Sequence, residues 1–239
     1  MMQQIATIKG VRVLVTGGTS GLGLALVRLL RKEGAHVAFV ARNARMVEQI
    51  ANGTGAFGIV GDMGKKEDIH PMALQVMGLL GGLDVLVNNA SSLGPATLLP
   101  LADTDCKDLE EALSVNLLGP FRLSKALFGA LTSAARDRGG AVVINISSDA
   151  ASSAYPSWGA YGASKAALLH LTSIWDEEAR AAGVQFLSID PGDMDTPLHA
   201  VAVPDADRSA LKHPSESAAE IVERISVVLS PSSANAHRS

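Results

Sequence analysis

The chain has 239 residues, 47% hydrophobic and 18% charged, with a formal net charge of −4: enough length and apolar content for one sizeable domain, and no basic footprint for nucleic acid or an anionic membrane. Cys106 is the single cysteine, so an internal disulfide or a cysteine-rich metal site is excluded and no metal is expected. Residues 1–9 lack the apolar core of a signal peptide and no apolar run reaches transmembrane length, so a soluble protein of a reducing, cytoplasmic compartment is expected.

Residues 11–15 form a short β-branched run that ends in Thr16-Gly17-Gly18-Thr19-Ser20-Gly21-Leu22-Gly23. Leu22, Ala25, Leu26, Leu29 and Leu30 then recur at helical spacing until Gly34. Strand, glycine-rich turn and helix in this order suit a pyrophosphate, because glycines admit close backbone approach and the helix N-terminus faces the charge. Residues 36–41 are the second strand, followed by Arg42 where a reader of a ribose 2′-hydroxyl would be acidic. Arg42, with Arg45 nearby, therefore points to a 2′-phosphate. Residues 56–60 and 83–87 read as the third and fourth strands, with Asp62 after one and Asn88-Asn89-Ala90 after the other. Strands alternating with helical stretches predict a parallel α/β sheet with right-handed crossovers.

Residues 105–136 make the longest helical stretch, apolar on more than one face and interrupted by Gly119-Pro120. Pro120 has no amide hydrogen, so the carbonyl of Asn116 loses its helical partner and becomes free to hold a water. Residues 141–147 are a fifth strand closing on Ser148, whose hydroxyl would stand at a carboxyl end, where open α/β sheets bind ligands. Tyr161 and Lys165, four apart in a helix running to about 182, share one face. A phenol is a poor acid at neutral pH unless a cation favours its phenolate, and Lys165 is placed to supply one. Residues 184–189 are a sixth strand, 197–213 a loop or short helices over a site, and Ser217 with Glu220 a capping box for the last helix. Residues 1–229 are expected to form one domain, with 230–239 a disordered polar tail.

These pieces together closely resemble the short-chain dehydrogenase/reductase family from about residue 9 to 196. The resemblance implies a single-domain, doubly wound, Rossmann-type parallel sheet with helices on both faces, binding a nicotinamide dinucleotide. It implies Tyr161 as general acid/base, Ser148 orienting the carbonyl, and Lys165 lowering the Tyr161 pKa and holding the nicotinamide ribose. Asn116 would hold a relay water through its main-chain carbonyl. Cofactor contacts would come from Gly17, Thr19, Ser20, Gly21, Leu22, Gly23, Arg42, Asp62, Met63, Asn89, Ala90, Pro191, Gly192 and Thr196 as well as Tyr161 and Lys165. Ser91 stands where the family usually has glycine, and Ser20 where NADP enzymes often carry a base, which leaves the 2′-phosphate to Arg42. No glycine-rich seventh strand follows Thr196.

The expected activity is an NADP(H)-dependent interconversion of a carbonyl and an alcohol on a small molecule, NADP(H) being favoured over NAD(H). A catalytically silent dinucleotide-binding regulator is the alternative, opposed by the complete Ser148, Tyr161 and Lys165 set. An epimerase or dehydratase is opposed by the short C-terminal part. The acids Asp149, Asp193 and Asp195 near the substrate walls favour a neutral or mildly cationic substrate. Surplus apolar surface on the two long helices predicts a homodimer, with a homotetramer the larger alternative.

Overall fold

A computed structural model describes residues 8–95 and 97–230; the predicted tail, Ser230 apart, and residues 1–7 lie outside the described residues. Six parallel strands run β1 (Arg12–Thr16), β2 (His36–Ala41), β3 (Phe57–Val60), β4 (Val85–Asn88), β5 (Ala141–Ile146) and β6 (Val184–Ile189), in the order β3-β2-β1-β4-β5-β6. The order reverses between β1 and β4, the place where a doubly wound sheet opens a crevice at its carboxyl ends. Alternate residues of β1 serve opposite cores: Val13 and Val15 face one, Leu14 the other. Both faces are covered, which is why the strands read as continuous apolar runs.

Helices α1 (Gly21–Lys32) and α2 (Ala44–Thr54) follow the first two strands, and α3 (Lys66–Leu80) the third. Residues 105–136, predicted as one helix, form α4 (Cys106–Leu113), a π turn (Ser114–Leu118) and α5 (Gly119–Arg138) without a break in the path. The Gly119 amide donates to the Ser114 carbonyl five residues back. The widened turn accommodates Pro120, whose ring would clash in a regular helix. The helix bearing Tyr161, α6 (Gly159–Ala179), ends in a 3₁₀ turn (Arg180–Ala182) before Gly183, three residues earlier than its apolar pattern suggested.

The short α7 (Pro197–Ala202) and the final α8 (Pro214–Val228) complete the fold. The predicted capping box is corrected here. α8 starts with His213 as N-cap, Pro214 in its first turn and Glu216 closing the box, one turn ahead of Ser217. Ser217 is instead buried inside the helix, its hydroxyl donating to the Pro191 carbonyl at 2.8 Å. At the amino ends of the strands, the buried Asp84 accepts from the Arg12 amide at 2.8 Å and from its guanidinium at 2.6 and 3.0 Å. Arg138 adds a contact at 3.3 Å.

Candidate active site

At the end of β1 the chain turns through Gly17, at a positive φ of 71°. A side chain at Gly23 would press on the Gly17 carbonyl and the Asn89 amide, so only glycine fits there. Ser20 caps α1 without using its side chain, and no acid occupies the first turn of the helix. The positive end of α1 is therefore open to an anion. The neighbouring loop is tied to this turn: the Thr16 hydroxyl accepts from the amides of Asn89 and Ala90, both at 3.0 Å. The Asn89 side chain donates to the Thr16 carbonyl at 2.8 Å. Glycine turn, open helix end and clamped loop fit a dinucleotide.

A cleft of about 1190 Å³ runs over these carboxyl ends. Every predicted site residue lines it except Gly23 and Asn116. Gly23 lies behind the turn and shapes it. Asn116 is buried in the π turn, where its side chain is fully engaged: it accepts from Ser91 at 3.1 Å and the Ser92 amide at 2.8 Å, and donates to the Ser92 carbonyl at 2.7 Å and Ser164 at 2.9 Å. Only its main chain is left for chemistry, and Pro120 cannot bond that carbonyl.

Ser148 caps the short turn after β5, accepting from the Ala150 amide at 3.2 Å. Tyr161 and Lys165 rise one turn apart on α6, both buried, with Lys165 Nζ 5.5 Å from the centre of the Tyr161 ring. Burial pushes the Tyr161 phenol up, against the Ser148 and Ser91 hydroxyls that favour its anion; Asp190 and Asp149 push it up further. Burial drives the Lys165 ammonium down to about 8, opposed by Asp190. Desolvation, not Lys165, therefore dominates the Tyr161 phenol, which lies above its ordinary value.

The short chain dehydrogenase family model matches residues 11–207. The chain belongs to that family. An uncharacterised oxidoreductase of Mycobacterium tuberculosis is 33% identical over 199 residues, 80% of this chain and 57% of the relative. Dehydrogenase/reductase SDR family member 4 of Pongo abelii is 33% identical over 184 residues, covering 75% and 64%. The chain thus spans about three fifths of the length of these curated relatives. A short chain dehydrogenase from Burkholderia cenocepacia, solved in complex with NADP, superposes with a TM-score of 0.80 at 25% identity, over 92% of this chain and 91% of that one. A 3-ketoacyl-(acyl-carrier-protein) reductase from Brucella melitensis, solved with NADH, shares the fold at a TM-score of 0.85 and 22% identity, covering 95% and 93%.

In this family member the exposed Arg42 follows β2, lines the cleft, and has no side-chain hydrogen bond among the described residues; Arg45 does not line it. Asp62 takes the Gly64 amide at 2.9 Å, shaping the loop that carries Met63. Gly192 has a positive φ of 76°, and Thr196 caps α7 by accepting from the His199 amide at 3.2 Å. Trp158 packs edge-on to Tyr161 with ring centres 5.8 Å apart, a contact that its sequence position does not reveal. Ser91, in place of the family's usual glycine, donates its hydroxyl proton to the Asn116 side chain at 3.1 Å and is among the groups that favour the Tyr161 anion. Asp149, one of the acids expected near the substrate walls, accepts from the Tyr155 hydroxyl at 2.6 Å. No helix among the described residues is long and apolar enough to cross a membrane.

Proposed function

We propose that this chain is an oxidoreductase interconverting a carbonyl and an alcohol on a small molecule, using NADP(H) in preference to NAD(H), with Tyr161 as general acid/base. The observation that carries the reading is the convergence of Ser148, Tyr161 and Lys165 in the same cleft as the glycine turn. A bound nicotinamide would supply or accept the hydride. In the reducing direction the Ser148 hydroxyl donates a hydrogen bond to the substrate carbonyl and orients it. Tyr161 passes its proton to that oxygen as negative charge develops. Lys165 holds the nicotinamide ribose and offsets the phenolate that Tyr161 leaves behind. A water on the Asn116 main-chain carbonyl returns a proton from solvent.

Arg42 supports the NADP preference, since a guanidinium at the end of β2 with no side-chain hydrogen bond among the described residues matches a 2′-phosphate. The solved relative with NADP is in keeping with that choice, and the one solved with NADH marks the competing option. The same reading includes a cytoplasmic homodimer formed through α5 and α6. The test is a panel of ketones, aldehydes and quinones with NADPH and NADH, followed by loss of nicotinamide absorbance. Turnover faster with NADPH is the expected result; no turnover of any carbonyl while NADPH still binds would favour the regulatory alternative.

A further inference from the structure

Ser148 has one hydroxyl proton and two claimants for it. The hydroxyl donates to Asp149 Oδ1 at 3.0 Å and accepts from the Ala150 amide at 3.2 Å. The other claimant is Tyr161, which lines the same cleft and whose phenolate a proton donated by Ser148 would favour. A serine hydroxyl cannot give its single proton to a carboxylate and a phenolate at once. Asp149 is a strong competitor because it is a full anion: the Tyr155 hydroxyl, bonded to its other oxygen at 2.6 Å, holds its carboxyl below the usual range.

The loop between Ser148 and Tyr161 keeps this competition in register. Tyr155 packs on Trp158 with ring centres 6.2 Å apart, and Trp158 packs on Tyr161 at 5.8 Å. Two routes thus join Tyr155 to the site, one through Asp149 and Ser148, the other through tilted and edge-on ring contacts. The other groups facing Tyr161 are Lys165 on its own helix, Asp190 after β6 and Ser91 after β4; Asp193 faces Tyr155. None of them bonds Ser148.

We propose that Asp149 is a positioning residue that competes with Tyr161 for the Ser148 proton, and so sets how readily the phenolate forms. This rests on the reading of Tyr161 as acid/base. Removing Asp149 frees the serine proton for Tyr161 and lowers its titration midpoint. The effect should run through Ser148 and largely vanish without it.

The chain has only two tyrosines, Tyr155 and Tyr161, so Tyr155→Phe leaves Tyr161 as the sole phenol for an ultraviolet titration. In that background Asp149→Ala is expected to lower the midpoint by about one pH unit. Asp149→Asn, which keeps the shape, should move it in the same direction by less. With Ser148→Ala also present, the Asp149→Ala shift should fall to roughly half or less, the remainder being charge alone. A midpoint that stays put or rises on losing Asp149, or an equal shift with and without Ser148, overturns the proposal. The titration needs no substrate. A chain that shows this coupling but reduces no carbonyl would refute the proposed activity and leave the shared proton standing.

Discussion

Lys165 Nζ donates to the Ile146 carbonyl at 2.7 Å, joining α6 to the last residue of β5 two positions before Ser148. The ammonium is buried there with no carboxylate paired to it among the described residues, and burial brings its pKa to about 8 against an ordinary 10.5. Above pH 8 the folded chain releases this proton while the unfolded chain keeps it to about 10.5, so the unfolded state binds more protons and stability rises with pH across that window. Tyr161, pushed up by burial, reverses the trend above its ordinary value of 10.

Lys165→Met should remove the rise between pH 8 and 10 and stabilise the fold by about 2 kcal/mol at neutral pH, as apolar replacements of buried charges often do. Turnover should be lost in the same variant. Urea unfolding at pH 7 and pH 9.5 measures both effects. A Met variant less stable than the unmodified chain at pH 7 would mean that the bond to Ile146 outweighs desolvation.

Tyr161→Phe should lower kcat by about 10²–10⁴-fold, the usual contribution of a positioned proton donor. The glycine turn, α1 and Arg42 do not depend on the phenol, so cofactor affinity should be retained. Steady-state rates with a cofactor titration separate the two. Activity near that of the unmodified chain would remove Tyr161 from the mechanism.

Arg42→Asp should weaken NADPH by roughly one to two decades, the equivalent of a charge-assisted hydrogen bond of about 1.5–3 kcal/mol. NADH, which has no 2′-phosphate, should be little affected or improved. Fluorescence titration of both cofactors against both proteins decides it. An unchanged NADPH preference would take Arg42 out of cofactor choice.

Leu118, Phe121 and Ile174 leave 38%, 37% and 44% of their surface exposed beside the Phe121–Trp175 ring contact. Large apolar side chains gathered in this way are what the proposed homodimer would bury. Light scattering at micromolar concentration should give at least a dimer, and Ile174→Glu should shift it toward monomer with reduced activity, since α6 carries Tyr161 and Lys165. A strictly monomeric, fully active chain would assign this surface to another partner.

Much of this architecture was legible because the relevant signals are local. His36–Ala41 and Val184–Ile189 are strands at the bounds their apolar runs indicated, and Tyr161 and Lys165 share a helix face because four residues make about one turn. The misreadings arose where a distant contact decides. Ser217 and Glu220 match a capping pattern, yet Pro214 sets an earlier start and Ser217 turns inward to reach Pro191, 26 positions away. The Tyr161 pKa is governed by its depth in the fold, which spacing to Lys165 does not encode. Asn116 was placed by Pro120, but the four hydrogen bonds that immobilise its side chain come from Ser91, Ser92 and Ser164, on two other segments.

The fastening of Arg12 and Arg138 on Asp84 sits at the opposite end of the sheet from the cleft. Its partners come from β1, the approach to β4 and the end of α5, so it staples the middle of the sheet where no reacting group lies. The molecule therefore has a chassis end and a working end. Randomising residues 149–158 and 192–213 to seek new substrates leaves the chassis untouched, and most such variants should still fold. The same freedom does not extend to Asp84: losing it strands two arginines, one of them mostly buried. A library built on this chain should vary the upper loops and hold that lower corner fixed.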